Sequence, residues 1–215
     1  MSIIDTNRQI EPLTGEAILY QAISALFSRP GSDKYSLLLD EEFREQALAA
    51  AKLLDAHKER DSELLAALET AFDSAADQNR TLEREYSLIF GHTLSHDLSP
   101  YEMEFLQNDE IFYRTQRLAD LQGFYAAFGF EVNSLERADH ISVESEFIAL
   151  LLTKEAYALA NDLGEEAAEV CNSARIKFLS EHYTGWVRKL ATNLSDMNER
   201  PFYATVGRFT VAMLN

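Results

Sequence analysis

Apolar positions recur every three to four residues along most of the chain, which is the spacing of an amphipathic α-helix. The first such pattern covers residues 14–29, where Thr14 is a suitable N-cap and Pro30-Gly31 ends the helix. Ser32 or Asp33 can cap a short helix that follows. Longer patterns predict helices over residues 41–57, 61–77, 80–90, 109–129, 139–161, 165–193 and 202–214. No alternating strand pattern and no internal repeat accompanies them, so the sequence predicts an all-α fold.

Two segments interrupt this periodicity, residues 91–108 and 130–138. The second follows Gly129, a natural C-terminal stop for the preceding helix. With only short loops elsewhere, we expect an antiparallel helical bundle that forms a single domain over residues 1–215. Residues 130–138 would be a hinge between its N- and C-terminal halves. Such a hinge permits a homodimer formed by domain swapping.

The charge of the chain is strongly negative, with 36 acidic against 19 basic side chains and a net charge of −17. This charge disfavours nucleic acid and anionic lipid surfaces as partners and favours cationic ones, although an acidic surface also serves solubility alone. The acids are unevenly distributed. Residues 85–113 contain six acids and no Lys or Arg, whereas residues 175–208 contain six basic and three acidic side chains. This distribution favours a basic ligand.

The expected location of the protein is the cytoplasm. Its N-terminus lacks the charged start and apolar core of an export signal, and the single Cys171 cannot form an internal disulfide. The longest uninterrupted apolar run, residues 147–152, is far shorter than the roughly 20 residues that cross a bilayer. We therefore expect no membrane span.

No motif for phosphate binding, nucleophilic catalysis, zinc or iron–sulfur clusters occurs in the sequence. His92 and His96 have the spacing of a helical metal pair, but the Gly, Ser and Pro residues around them argue against a helix. We predict no metal, no cofactor and no catalytic residue. A metal-dependent enzyme that uses these histidines, or Asp139-His140, stays open as an alternative.

Two short clusters combine groups that can bind a guanidinium. Asp139-His140 stands at a predicted helix start, with Glu144 one turn after His140. There a carboxylate can orient the imidazole or accept hydrogen bonds from an arginine, although Asp139 can equally be only the helix cap. Pro100-Tyr101-Glu102 places an aromatic ring beside a carboxylate, which suits stacking and ion pairing with a guanidinium.

Three stretches together form a recognisable pattern. They are Tyr86-x-x-x-Phe90-Gly91 followed by Pro100-Tyr101-Glu102; Glu136-Arg137-Ala138-Asp139-His140-Ile141-x-x-Glu144-x-Glu146-Phe147; and Phe178-x-x-x-His182-x-x-x-Trp186 followed by Pro201-Phe202-Tyr203. This pattern resembles the TorD/DmsD-like, NarJ-related family of redox-enzyme maturation chaperones. The resemblance extends over about residues 80–214, and over the N-terminal helices only in pattern.

The resemblance implies a cytoplasmic, all-helical chaperone of anaerobic respiration without catalytic activity. Its partners would be the twin-arginine leader peptide and the apo-form of a molybdenum reductase subunit, which it would hold back from export until the cofactor is inserted. Paired arginines and an apolar stretch in such a leader call for carboxylates beside an apolar surface. We expect Tyr101, Glu102, Asp139, His140 and Glu144 to border this site. A helical adaptor that binds a folded partner is the other alternative, and the sequence does not identify the client.

Overall fold

The computed structural model describes residues 3–58, 63–77, 79–91, 96–106, 110–132, 136–161, 163 and 165–215. Its α-helices are α1 (Ile3–Leu26), α2 (Asp33–Ser36), α3 (Glu41–His57), α4 (Glu63–Asp77), α5 (Asn79–Phe90), α6 (Ile111–Ala127), α7 (Ile141–Ala160), α8 (Glu165–Phe178), α9 (Thr184–Ser195) and α10 (Pro201–Met213). Within these residues no β-strand is found. The prediction of an all-α fold is confirmed.

Ser32 and Gly129 end or begin helices as the sequence predicts, and Asp40 is a further cap that the structure shows. The Ser32 side chain accepts the amide of Tyr35 and caps α2, and the Asp40 side chain accepts the amide of Phe43 at the start of α3. Gly129 follows α6 with a φ of 66°, a conformation that glycine adopts without a steric penalty. These caps and stops keep the loops between neighbouring helices short.

Two helix boundaries differ from the prediction. Thr14 does not cap α1, because the helix begins at Ile3 and the Thr14 hydroxyl donates to the Ile10 carbonyl inside it. Residues 165–193 are not one regular helix, because a π-helical turn at Leu179–Tyr183 separates α8 from α9. The π-turn inserts an extra residue into the helix and changes the direction of the side chains that follow.

Helix α7 lies at the centre of the molecule and packs against α1 and α8. The Phe147 ring on α7 contacts the aromatic rings of Tyr125, Phe128, Phe130 and Phe178. At one side of this core α10 packs against α9 and α4, and α3 packs against α1 and α4. Helices from both halves of the sequence therefore form one core.

Helix α6 is the most exposed of the long helices. Leu121 and Tyr125 are its buried residues, both in its second half, whereas Ile111 and Phe112 at its start are 84% and 78% exposed. Large apolar side chains are rarely so exposed together without a binding role. No helix in the described part of the chain combines the length and apolar character needed to cross a bilayer.

Candidate functional site

An isolated antiparallel bridge between Tyr101 and His140 joins the two predicted clusters. The amide of Glu102 donates to the Asp139 carbonyl at 2.9 Å, and the amide of Ile141 donates to the Pro100 carbonyl at 2.9 Å. Residues almost forty positions apart thereby become neighbours. Glu102 and Asp139 lie opposite each other across the bridge, next to the start of α7.

Asp139 is fully buried and is not the cap of α7. Its carboxylate binds the Arg137 guanidinium in a bidentate ion pair, with Nε to Oδ1 at 2.9 Å and Nη2 to Oδ2 at 2.7 Å. The amide of Met103 also donates to Oδ2, at 3.2 Å. The expectation that Asp139 caps the helix is wrong, because Arg137 and the segment after Tyr101 hold its side chain. His140 takes the capping position instead.

Glu102 is also buried, and it too binds a guanidinium. Arg117 on α6 contacts Oε1 through Nε at 2.9 Å and through Nη2 at 2.8 Å. The other carboxylate oxygen, Oε2, lies 3.2 Å from Nδ1 of His182, whose Nε2 is 3.2 Å from Asp120. Glu102 therefore links α6 to the π-turn that carries His182.

Glu144 is a third buried carboxyl in the cluster. Trp186 donates its indole N–H to Oε2 at 3.2 Å, and Oε1 has no hydrogen-bond partner among the described residues. Burial raises the pKa of Glu144 well above its usual range, and the nearby carboxylates of Glu102 and Asp139 raise it further. Both effects favour the protonated, uncharged form of Glu144 in the folded protein.

His140 caps α7 through its ring. Nδ1 accepts the amide of Ser142 at 3.1 Å, so the proton of the neutral imidazole lies on Nε2. Burial, together with the positive charges of Lys34 and Arg137, lowers the pKa of His140 to about 3. Among the described residues Nε2 has no hydrogen-bond partner; its nearest carboxylate oxygen, on Glu136, is 4.0 Å away. A buried N–H donor thus remains available at the edge of the site.

Tyr101 lies between these charged groups and the surface. Its hydroxyl donates to Glu136 at 2.8 Å, and the Arg137 guanidinium carbon lies 4.6 Å from the centre of its ring. The ring also meets the His140 ring edge-on, with 5.0 Å between centroids. The predicted combination of stacking and ion pairing is therefore present, but within the chain itself.

The other predicted motif residues stabilise the core around the site. Tyr86 and Phe90 on α5 contact each other, and Phe90 also contacts Tyr203 on α10. His182 and Trp186 bind the site carboxyls directly, as described above. Pro100 and Phe147 are buried, and Phe147 packs beneath the site. All five predicted binding residues lie in one cluster, and their role in peptide binding stays a prediction.

Sequence reasoning missed Arg117 and Arg137 as partners of the site carboxylates. Arg137 stands inside the motif Glu136–His140, two residues before Asp139, and this position was the available signal. Arg117 gave no comparable signal, because it lies on an amphipathic helix fifteen residues from Glu102. Only the approach of α6 to the bridge brings the two together.

One group of potential metal ligands occurs in the described part of the chain, namely Asp120, Glu181 and His182. Asp120 is exposed and hydrogen-bonds His182, and Glu181 is exposed and lies 3.9 Å from Lys177. Each of the three side chains therefore has a partner within the chain. His92 lies outside the described residues, so the expectation of no metal at His92 and His96 stays a prediction.

A second acidic surface lies away from the bridge, in a groove of about 640 Å³. Glu16 on α1, Glu155 on α7, and Glu165 and Glu169 on α8 line it together with Pro12 and Leu13. Arg175 binds Glu155 at 3.3 Å. This groove is an independent location at which a cationic partner could be tested.

A family model described as "Nitrate reductase delta subunit" matches residues 39–192, more than two thirds of the chain. The match includes the whole bridge cluster and extends through His182 and Trp186. No curated protein matches the chain significantly.

Proposed function

Because the chain belongs to the nitrate reductase delta subunit family, a family of maturation chaperones for molybdenum-containing oxidoreductases, we propose that it binds the twin-arginine leader of such an enzyme's precursor. The family assignment confirms the resemblance to TorD/DmsD-related chaperones. In the proposed role the chain acts in the cytoplasm, has no catalytic activity, and keeps the apo-enzyme from export until its cofactor is inserted.

The observation that carries the proposal is the pair of buried carboxylates at the bridge. Glu102 and Asp139 lie side by side, and each is already bound to a guanidinium. A leader presents two adjacent arginines, which are the groups that such carboxylates bind with charge-assisted, geometrically specific hydrogen bonds. Glu102 and Asp139 thus offer two neighbouring sites for guanidiniums, one for each arginine of the leader.

The surroundings of the pair also suit a leader. The exposed Ile111 and Phe112 at the start of α6 offer an apolar surface to the stretch that follows the arginines. The Nε2–H of His140 is a donor for a carbonyl of the peptide backbone. The site thus offers a complementary group for each part of the leader.

The experiment is a calorimetric titration of the purified protein. Its probes are synthetic leaders of the molybdenum-containing oxidoreductases of the source organism, each made with Arg-Arg and with Gln-Gln. We expect the Arg-Arg form of one leader to bind at least about tenfold tighter than its Gln-Gln form, since two charge-assisted contacts are lost. Equal affinity of the two forms for every leader would contradict the proposal.

Variants of the two carboxylates locate the site. We expect Glu102→Gln and Asp139→Asn each to weaken binding by about tenfold. Glu165→Gln and Glu169→Gln, in the separate acidic groove, are the matched controls and should bind normally. Circular dichroism and melting are recorded for each variant, because Asp139 is fully buried in its ion pair with Arg137. If only the control variants bind the leader more weakly, the leader binds in the acidic groove and not at the bridge.

A helical adaptor for a folded partner is the competing function. Such an adaptor would bind the folded, cofactor-loaded enzyme as well as the precursor, and a free leader would not compete for it. Competition by the leader in a pull-down of the precursor distinguishes the two functions.

A further inference from the structure

The two arginines that bind Glu102 and Asp139 belong to the chain itself, yet neither lies in its packed core. Arg117 is on the exposed helix α6, and Arg137 is in the irregular segment before α7. Both guanidiniums make the kind of contacts that the arginines of a leader would make, with two nitrogens on one carboxylate. Resting on the proposed function, we propose that Arg117 and Arg137 are internal substitutes for the paired arginines of the leader, which displace them on binding.

The first support is that, in each of the two ion pairs, the arginine is far more exposed than its carboxylate. The carboxylate side chains of Glu102 and Asp139 are 2% and 0% exposed, whereas the Arg117 and Arg137 side chains are 21% and 48% exposed. Each arginine therefore reaches from the surface to a buried carboxylate. A peptide arginine can approach along the same path only if the internal arginine leaves it.

The second support is that the first half of α6 is held to the rest of the protein less firmly than the second half. None of the residues 111–120 is buried. This half of the helix is attached through the partly buried Leu118 and through polar contacts of Arg114 with Glu104, Arg117 with Glu102 and Asp120 with His182. The buried Leu121 and Tyr125 hold the second half. The first half can therefore move away from the bridge while the second half stays packed.

The energetics of buried charge explain why the chain would carry such substitutes. Glu102 and Asp139 lie close enough to raise the pKa of Glu144, and unpaired carboxylates in this position would repel each other without solvent to screen them. Internal arginines stabilise the free protein. They also lower its apparent affinity, because a leader must displace them, and only a ligand with two guanidiniums restores both ion pairs.

The test compares Arg117→Met and Arg137→Met with the unchanged protein, using calorimetry and the tightest-binding leader. Methionine keeps much of the apolar stem and removes the guanidinium. We expect each variant to bind the Arg-Arg leader about tenfold tighter and the Gln-Gln leader no tighter. Arg29→Met is the matched control, since it removes an exposed ion pair with Glu83 at 3.0 Å, and it should leave binding unchanged.

The inference is overturned if the unchanged protein binds the Arg-Arg leader while both folded variants, Arg117→Met and Arg137→Met, bind it no more tightly. That result leaves the proposed function standing. Absence of Arg-Arg-dependent binding in every protein overturns the proposed function as well. A second measurement uses the unchanged protein in case the variants do not fold. Hydrogen exchange of the amides in residues 114–120, beyond the apolar surface of Ile111 and Phe112, should become faster when the leader binds, and slower exchange there overturns the inference.

Discussion

At the scale of single residues, Glu144 has an unusual position. It is a fully buried carboxyl whose pKa is raised by burial and by the carboxylates of Glu102 and Asp139, and its hydrogen-bonding donor is Trp186. Because its pKa is raised in the folded protein, folding favours its protonated form. The folded state therefore holds a proton that the unfolded chain releases above the usual pKa of a glutamate.

This proton sets the sign of a pH dependence. Between the ordinary glutamate pKa and the raised one, the free energy of unfolding falls as pH rises, by about 1.4 kcal/mol per pH unit from this group. Glu144→Gln cannot titrate, so we expect its stability relative to the unchanged protein to increase with pH. Urea unfolding of both proteins at pH 5 and pH 8 measures the difference.

A matched substitution at an exposed carboxyl separates this effect from general changes. Glu165→Gln, on the exposed start of α8, should give a stability difference that does not change between pH 5 and pH 8. A constant difference for Glu144→Gln as well would mean that Glu144 titrates normally in the folded protein.

The sequence predicts that five residues lie together, and the structure brings them into one cluster, but the sequence does not predict all of their partners. Tyr101, Glu102, Asp139, His140 and Glu144 stood out because aromatic and acidic groups flank irregular segments. The contacts of Glu102 depend on the tertiary approach of α6 and of the π-turn, which no local pattern encodes, whereas Arg137 lies only two residues from Asp139. The tertiary packing also buries the carboxylates of Glu102 and Asp139, and each is already bound to an arginine.

At the scale of helices, Gly207 determines how closely α10 approaches α9. A Cβ at this position would lie 2.5 Å from the Ser195 nitrogen and 2.6 Å from the Ala191 oxygen, both backbone atoms of α9. We expect Gly207→Ala to separate the helices and to destabilise the protein by about 1–3 kcal/mol. Chemical denaturation measures the change.

Gly123 in α6 is the control for this prediction. A Cβ there meets no atom within 4 Å, so Gly123→Ala should raise stability by about 0.5–1 kcal/mol through helix propensity. Gly207→Ala with the same effect as Gly123→Ala would contradict the close contact between α9 and α10.

Helix positions could be predicted well, and helix boundaries less well. The period of apolar residues located α3 to α6 because each presents one face to the core, whereas α7 and α10 were located although they are buried on most sides. The start of α1 was missed because Pro12, in the middle of that helix, normally indicates a helix start. The π-turn at Leu179–Tyr183 was missed because an inserted residue leaves both flanking patterns intact.

At the scale of the whole molecule, helices on both sides of residues 130–138 pack on one another. Helix α7 packs against α1, and α10 packs against α4. The predicted hinge region includes residues 133–135, which lie outside the described part of the chain. If the hinge extends, the same contacts can form between two copies, so the swapped homodimer stays a prediction.

Two singly substituted copies test this prediction. Lys34 on α2 and Glu146 on α7 form an ion pair of 2.6 Å across the hinge. When Lys34→Cys and Glu146→Cys copies are refolded together at high concentration, in a Cys171→Ser background, we expect a bis-maleimide reagent to link them as a dimer. A doubly substituted copy, which can react within a monomer, is the control. Failure of the mixed copies to cross-link while the control reacts would exclude the swapped dimer.

The single tryptophan of the chain gives the site an optical reporter of its own. Trp186 is 7% exposed, donates to the His182 carbonyl and to Glu144, and lies 5.4 Å from the Phe105 ring between centroids. An indole shielded from water emits at shorter wavelengths than one in contact with it. Because no other tryptophan contributes, the fluorescence spectrum of the unlabelled protein reports the hydration of this one cluster, and it can follow the cluster on the timescale of a stopped-flow experiment.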